Sequence, residues 1–420
     1  MIIGRFPIAG LINASKDILM STIRHITLPV GFVSAGVKCG IKASGRNDMA
    51  IITGEADVAA AVVTTSNQVF GEPVRYCRSI LPKGYGTVRG IVINSGCSNV
   101  CTGPAGFRDA KTMATMTAKK LGTTADKVLV ASTGIIGHRL PMEKVKAGIA
   151  DAASKLSRNN DTETLLAIMT TDTREKYAVV QTVIGGKMVT LAGIVKGAGM
   201  IAPSLATMIS VVTTDAAISP ADLYKAVVAE ATVTFNGITI DSDTSTSDTV
   251  AVLASGLAGN KPIKAGSAEF KQFASALQEV FGELARAVVI DGEGATKLVE
   301  IAVTGARSDA EAAVAAKSVA NSPLFKCAIH GGDPNWGRIA CALGKSAAKV
   351  DPEKLMIGIG GITIFARGTG KKFNVKRVEE HLKGTSIQVD CDLGLGKGRF
   401  TAITCDLSKE YVAINADYST

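Results

Sequence analysis

The sequence predicts a mixed α/β fold in which layered sheets are packed between helices. The chain has 420 residues, 46% of them hydrophobic, which is enough for one large core or two linked ones. Glycine is abundant at 44 residues and aromatic residues make up only 5%, a composition that favours closely packed sheets and helices. Short β-rich runs also alternate with segments that begin on helix-start signals.

The first half of the chain alternates strands with helices. Short apolar runs bounded by turn residues predict buried strands, at residues 59–65, 90–94 and 127–131. The last of these runs continues directly into Ser132-Thr133-Gly134. Helices are expected at residues 104–121 and 141–156. Gly185-Gly186 is typical of a hairpin turn between residues 177–184 and 188–195.

The second half follows the same pattern. Ser219-Pro220 combines an N-cap with proline at the first helical position, and Ser308 with Glu311 forms a capping box. Further helices are expected at residues 270–289, ending in a strand, and at 374–383. Further strands are expected at residues 207–214, 386–392, 399–406 and 411–415.

Charge and cysteine usage exclude several classes of protein. The net charge is +9, but the basic residues are scattered, with no run of five and no interleaved aromatics, so we expect no nucleic-acid partner. No apolar stretch is long enough to span a membrane. Most of the eight cysteines lie in apolar strings, which indicates reduced, buried, structural residues. The Cys97-x3-Cys101 spacing has no second pair nearby, and we expect no metal site.

The segment KGAGMIAPSLATM, residues 196–208, is the most unusual in the chain. Its glycines let the backbone bend, Pro203 stiffens it, and Ala206 meets the hydroxyl residue Thr207 at the head of an expected strand. Attack of the Thr207 hydroxyl on the Ala206 carbonyl would form an ester, and water would then release a chain that begins at Thr207. A threonine hydroxyl is a poor nucleophile without a base, but an α-amine titrates at about 7.7–8.0 and could serve as that base.

Two readings of this segment remain open from the residues alone. A glycine-rich turn that enters a strand is also typical of an ordinary structural turn. No Ser/His/Asp or Cys/His signature accompanies the four histidines, so the sequence offers no other evident nucleophile and base.

Nine motifs in one order resemble those of the ornithine acetyltransferase family of the cyclic arginine pathway. The resemblance runs over nearly the whole chain from about Leu28. The motifs are residues 31–46 (GFVSAGVKCGIKASGR), 94–103 (NSGCSNVCTG), 132–137 (STGIIG), 170–173 (TTDT), 196–208, 243–250 (DTSTSDTV), 291–297 (DGEGATK), 333–339 (DPNWGRI) and 414–420 (INADYST). The resemblance implies a fold related to the self-cleaving aminopeptidases.

The resemblance also implies roles for individual residues. Thr207 would be both the cleavage residue, after Ala206, and the acyl acceptor, while Thr133 and Gly134 would form the oxyanion hole. The implied substrate contacts are Thr173, Lys196, Thr207, Glu293, Asn415 and Thr420. As a hypothesis, Lys196 pairs with the substrate carboxylate, and Glu293 with the terminal carboxylate of Thr420 receives its ammonium group. No metal or cofactor is implied.

The implied reaction is ping-pong transfer of acetyl from N2-acetyl-L-ornithine to L-glutamate through an acetyl-Thr207 intermediate. Acetyl-CoA is a second acetyl donor in some family members. After cleavage, residues 26–206 would form an α chain and 207–420 a β chain, associated as α2β2. The alternatives are a self-cleaving threonine amidohydrolase or aminopeptidase with water as acceptor, and an uncleaved binding protein.

Residues 1–25 are interpreted as an N-terminal extension. Arg5 and the short apolar run after it resemble a signal or transit peptide, and a mitochondrial matrix location is the alternative to the cytoplasm. The sequence also departs from the family pattern, with Ser204 and Cys97 where asparagine is usual, Leu205 where methionine is usual and Gly237 where arginine is common.

Overall fold

The computed structural model describes residues 24–202 and 208–417. Two sheets organise this part of the chain. The larger contains β1 (Phe32–Val37), β2 (Met49–Thr64), β3 (Tyr85–Cys97), β4 (Val128–Ile135), β5 (Tyr177–Ile184), β6 (Lys187–Lys196), β7 (Ile209–Thr214) and β8 (Thr249–Ala254). The smaller contains β9 (Leu298–Ala306), β10 (Met356–Ile359), β11 (Ile362–Ala366), β12 (Thr369–Gly370), β13 (Ser386–Asp392) and β14 (Gly398–Cys405).

The helices cover the faces of these sheets. Before the 203–207 gap they are α1 (Glu72–Ile80), α2 (Gly103–Leu121), α3 (Met142–Ser154) and α4 (Asp161–Ile168). After it they are α5 (Pro220–Val233), α6 (Ala268–Ile290), α7 (Asp309–Ala320), α8 (Pro323–Gly331), α9 (Trp336–Gly344), α10 (Val375–Leu382) and α11 (Lys409–Asp417). Short 3₁₀ turns occur at Ala125–Lys127 and Phe235–Gly237.

The larger sheet has the strand order β4-β3-β2-β8-β7-β6-β5, with β1 also paired to β2. Its pairs β3–β4 and β7–β8 are parallel, and the others are antiparallel. Consecutive residues of β7 face opposite sides of the sheet, as a two-residue repeat requires. Val211 packs into a core shared with α1–α4, and Val212 packs into a core shared with α5 and α6. The sheet therefore lies between two helix layers, as expected.

The smaller sheet has the order β12-β11-β10-β13-β9-β14, in which only β13 and β9 run parallel among the described strands. Its inner residues, such as Ile301 and Val389, pack with α7–α10 in a separate core. Leu298 and Cys405 instead join the core of α5 and α6. This shared core connects the two sheets.

The serine N-caps of α5 and α7 are confirmed in atomic detail. The Ser219 hydroxyl accepts the Asp222 N–H, and the Ser308 hydroxyl accepts the Glu311 N–H. The glycine-linked hairpin is also present as β5 and β6.

Three expectations from the sequence are wrong. Residues 411–415 lie in helix α11, and helix α6 continues to Ile290 without a terminal strand. Short apolar runs fit the residue repeat of a helix as well as that of a strand, and packing in the core decides which of the two forms. Cys327 and Cys341 are exposed although their neighbours in sequence are apolar, because only one face of each of their helices meets the core. In the described ranges no helix is both long and apolar enough to cross a membrane.

Candidate active site

A cavity of about 260 Å³ lies where β4 and β6 end and where α11 approaches the loop after α6. Five of the residues predicted for the site line it together: Thr133, Gly134, Lys196, Glu293 and Asn415. They come from four distant parts of the sequence. The cavity therefore brings a hydroxyl, a glycine backbone, a lysine and a carboxylate within one small volume.

Thr133 and Gly134 lie near the end of strand β4 itself, rather than in a turn after it. Gly134 has a φ of +123°, and a Cβ built on it would lie 2.4 Å from the Gly96 carbonyl carbon on the neighbouring strand β3. Only glycine fits such a close parallel approach without strain. Any side chain at position 134 would clash with β3, so glycine is required for the backbone conformation that Thr133 and Gly134 adopt here.

Lys196 is the last residue of β6, and its Nζ donates to Thr133 Oγ1 at 3.2 Å. The Thr133 oxygen accepts this bond, which leaves its own hydroxyl hydrogen available to another acceptor. Burial lowers the pKa of Lys196, and Lys176 adds to this, although Asp172 and the carboxyls of Asp248 and Glu293 oppose the shift. The ammonium group of Lys196 is thus more acidic than that of an ordinary lysine.

A buried cluster of charges supports the end of β6. Lys176 Nζ lies 2.6 Å from Asp172 Oδ1 and 2.5 Å from Asp291 Oδ2, and all three side chains are at most 2% exposed. Asp172 also accepts the N–H of Gly197 at 2.6 Å. Burial by itself would raise the pKa of Asp172, but Lys176 and Lys196 lower it overall. The carboxylate therefore stays ionised and fixes the backbone directly after Lys196.

Thr173 does not line the cavity. Its side chain and its N–H both donate to Asp291, the N–H at 3.1 Å, and the residue is exposed. Its neighbours Thr170 and Thr171 line the cavity instead. A substrate contact at Thr173 stays a prediction.

Glu293 and Asn415 line the same cavity and are bound to each other. Asn415 Nδ2 donates to Glu293 Oε2 at 2.9 Å, and also to the carbonyl of Tyr411 one turn earlier in α11. A Cβ on Gly199 would lie 2.4 Å from that same Glu293 oxygen. Glycine at position 199 therefore makes room for the carboxylate.

Several polar residues of the cavity were not predicted as site residues. They are Ser98, Thr170, Thr171, Asp241, Asp243, Ser245, Thr246, Ser247 and Tyr411. Most lie inside motifs that the resemblance had already picked out, so their position in those motifs was the available signal. No group of three or more His, Cys, Asp or Glu in the described ranges is arranged to hold a metal ion.

Ala206, Thr207 and Thr420 lie outside the described residues, as do Ser204 and Leu205. The chain is described again from Met208, whose carbonyl accepts the N–H of Thr249 at 2.8 Å. Ile209 pairs with Lys196 on one side and with Thr249 on the other. Residue 207 therefore comes two positions before the start of β7, and the start of β7 is paired with the end of β6.

A hydroxyl, a glycine backbone, a lysine and a carboxylate in one cavity are typical of enzymes that transfer acyl groups. The model of the ArgJ family matches residues 33–420. The chain therefore belongs to the ArgJ family, and the expectation of an arginine-biosynthesis enzyme is confirmed.

Known proteins similar to the chain include an arginine biosynthesis bifunctional protein ArgJ from Listeria monocytogenes. It is 43% identical over 396 residues, which cover 94% of this chain and 98% of that protein. A solved structure of ornithine acetyltransferase complexed with ornithine, from Mycobacterium tuberculosis, is 41% identical with a TM-score of 0.39, over 44% of this chain and 96% of that one. An L-aminopeptidase D-Ala-esterase/amidase from Ochrobactrum anthropi is 12% identical with a TM-score of 0.40, over 64% of this chain and 86% of that one.

Proposed function

We propose that the chain cleaves itself between Ala206 and Thr207 and then transfers acetyl from N2-acetyl-L-ornithine to L-glutamate. The observation that carries this proposal is the single cavity lined by Thr133, Gly134, Lys196 and Glu293, in a member of the ArgJ family. Oxyanion donors and charges of both signs are the groups that acyl transfer between amino acids requires.

Self-cleavage begins when Thr207 Oγ attacks the carbonyl carbon of Ala206. The C–N bond between the two residues breaks, and the nitrogen takes up the proton that the hydroxyl loses. Water then hydrolyses the resulting ester, which gives an Ala206 carboxylate and restores the Thr207 hydroxyl. One product contains residues 1–206, that is, the N-terminal extension and the α chain of residues 26–206. The other product is the β chain, residues 207–420.

In the transfer reaction the free α-amine of Thr207 takes the proton of its own hydroxyl as Oγ attacks the acetyl carbonyl. The acetyl C–N bond breaks, ornithine leaves with that proton on its α-amine, and acetyl-Thr207 remains. The α-amine of glutamate then attacks the ester, the bond between the acetyl carbon and Thr207 Oγ breaks, and the proton that the amine loses passes to Oγ. The Thr133 hydroxyl and the Gly134 N–H stabilise the oxyanion in both half-reactions.

Charges of both signs in the cavity select the substrates. Lys196 pairs with the α-carboxylate that acetylornithine and glutamate share. Glu293, whose Oε2 accepts from Asn415 Nδ2 at 2.9 Å, receives the side-chain ammonium of ornithine, and Thr420 is a further contact of this substrate. Thr173 is a further proposed substrate contact, and its N–H donates to Asp291 at 3.1 Å.

The wider assembly follows from the same proposal. The α and β chains share one core, because β7 and β8 lie between β2 and β6 in the larger sheet, and we infer that they stay together and pair as α2β2. The relatives' description as bifunctional fits acetyl-CoA as a second acetyl donor. We further infer a cytoplasmic location.

Glutamate dependence tests transfer against the hydrolase alternative. Purified protein with N2-acetyl-L-ornithine should release ornithine in step with acetylglutamate formation, and release should stop when glutamate is omitted. Mass spectrometry of both products makes the comparison. Equal release without glutamate, with acetate as product, would identify an amidohydrolase instead.

The lowered pKa of Lys196 predicts a pH dependence of substrate affinity. A lysine with a lowered pKa loses its charge at a lower pH than an ordinary lysine does, so the KM for acetylornithine should rise early on the alkaline side. Arginine stays charged throughout this range, and Lys196→Arg should remove this rise from the KM profile. Parallel KM profiles for the two proteins would exclude Lys196 as the carboxylate partner.

A further inference from the structure

One short segment holds the chain on both sides of residues 203–207. This clamp segment, residues 240–249, follows the 3₁₀ turn after α5 and leads into β8. On the upstream side the Asp241 carboxylate accepts the N–H of Met200 at 2.6 Å through Oδ2 and the N–H of Ile201 at 2.8 Å through Oδ1. Both carboxylate oxygens thus bind consecutive backbone groups of the same short stretch.

Other groups of the clamp segment extend this contact. The Ile240 N–H donates to the Ile201 carbonyl at 2.7 Å, and the Thr244 hydroxyl donates to the Ala202 carbonyl at 2.9 Å. On the downstream side, the Thr249 N–H donates to the Met208 carbonyl at 2.8 Å. Residues 202 and 208 are therefore both bound to partners only five residues apart in sequence.

The clamp segment is itself held by side chains of later parts of the chain. The buried Lys326 donates to the Ile240 carbonyl at 2.7 Å and to Thr404 Oγ1 on β14 at 3.0 Å. The Tyr411 hydroxyl lies 3.4 Å from Asp241 Oδ2. Met200 has a φ of +56°, a left-handed conformation that is unusual for a residue other than glycine. Asp241 binds the N–H of this residue, and so holds a backbone conformation that the isolated segment would rarely adopt.

We propose that Asp241 is a positioning residue for self-cleavage. The inference rests on the proposed function, because it presupposes that the Ala206–Thr207 bond is cut. Attack of a hydroxyl on the preceding carbonyl requires a narrow range of backbone conformations, and fixing both ends of a short segment reduces the conformations it can sample. Asp241 fixes the upstream end, and β7 with Thr249 fixes the downstream end.

Asp241→Asn tests this role, since it keeps the size of the side chain. Its amide nitrogen would face a backbone N–H, so one of the two bonds to Met200 and Ile201 is lost. Full-length chains pulse-labelled in cell-free translation and quenched in denaturant would give the rate of conversion to two fragments. We expect Asp241→Asn to slow this conversion about 10- to 100-fold, in line with the effect of small misplacements on reaction rates.

Asp215→Asn is the matched control. Asp215 also binds two backbone N–H groups, those of Thr190 at 2.8 Å and Val30 at 3.3 Å, but directly after the far end of β7. A merely structural role predicts that cleavage follows thermal stability in both variants. The positioning role predicts slow cleavage in Asp241→Asn alone, compared at equal folded fraction.

The outcomes separate the inference from the proposed function. If the unaltered chain stays whole, the proposed self-cleavage fails. If the unaltered chain is cut and Asp241→Asn is cut at the same rate, the proposed function stands and the positioning role is overturned. Equal slowing in Asp241→Asn and Asp215→Asn would also overturn it.

Discussion

Thr207→Ala should remain a single chain of full length and should show no acetyl transfer. Alanine lacks the hydroxyl that attacks the Ala206 carbonyl, so no ester forms and no α-amine is released at position 207. The unaltered protein should instead give two fragments of nearly equal size, the larger beginning Thr-Met-Ile-Ser. Intact mass measured under denaturing conditions distinguishes these species directly.

Thr207→Ser serves as the control for this variant, because it retains a hydroxyl and should retain cleavage, at a reduced rate, together with transfer. The contact between Met208 and Thr249 involves backbone atoms only, so none of these substitutions removes it. Fragments in Thr207→Ala would show that another group cuts the chain. A full-length unaltered protein that still transfers acetyl would remove the α-amine from the mechanism.

The sequence predicted the layers of the fold well where local signals and packing agree. The hairpin of β5 and β6, with glycine at both turn positions, needs no distant contact to be recognised. Residues 411–415 show the limit of this approach. Their short apolar run fits a strand or a helix, and contacts of Tyr411 with Asp241 and of Asn415 with Glu293, all far apart in sequence, accompany the helix.

The candidate site shows the same division. Thr133, Gly134, Lys196, Glu293 and Asn415 were predicted through a family resemblance, and the cavity that joins them depends on the three-dimensional arrangement. Lys176 was not singled out from the sequence, because an isolated lysine before a strand is typical of an exposed residue. Its pairing with Asp172 and Asp291 becomes evident only when β5 and the end of α6 are adjacent.

Thr133→Val should lower kcat for acetyl transfer by about 10²–10³, the usual loss when one oxyanion-hole donor is removed. Valine keeps the branched shape at this nearly buried strand position, so the change is confined to the hydroxyl group. Lys196 already donates to the Thr133 oxygen, and a hydroxyl that accepts from a cation is a stronger donor to a developing oxyanion. Because that charge exists mainly in the transition state, the KM should change little.

Thr133→Ser is the matched control, since it restores the hydroxyl and should recover most of the lost rate. Steady-state kinetics with acetylornithine and glutamate measure both variants, after intact mass has shown that each has been cleaved to the same extent. A fall in kcat shared equally by valine and serine would point to packing rather than to the hydroxyl. A rise in KM with kcat unchanged would show that Thr133 acts in binding of the ground state. Stabilisation of the oxyanion would then depend on the Gly134 N–H, which the close approach of Gly96 holds in place at the end of β4.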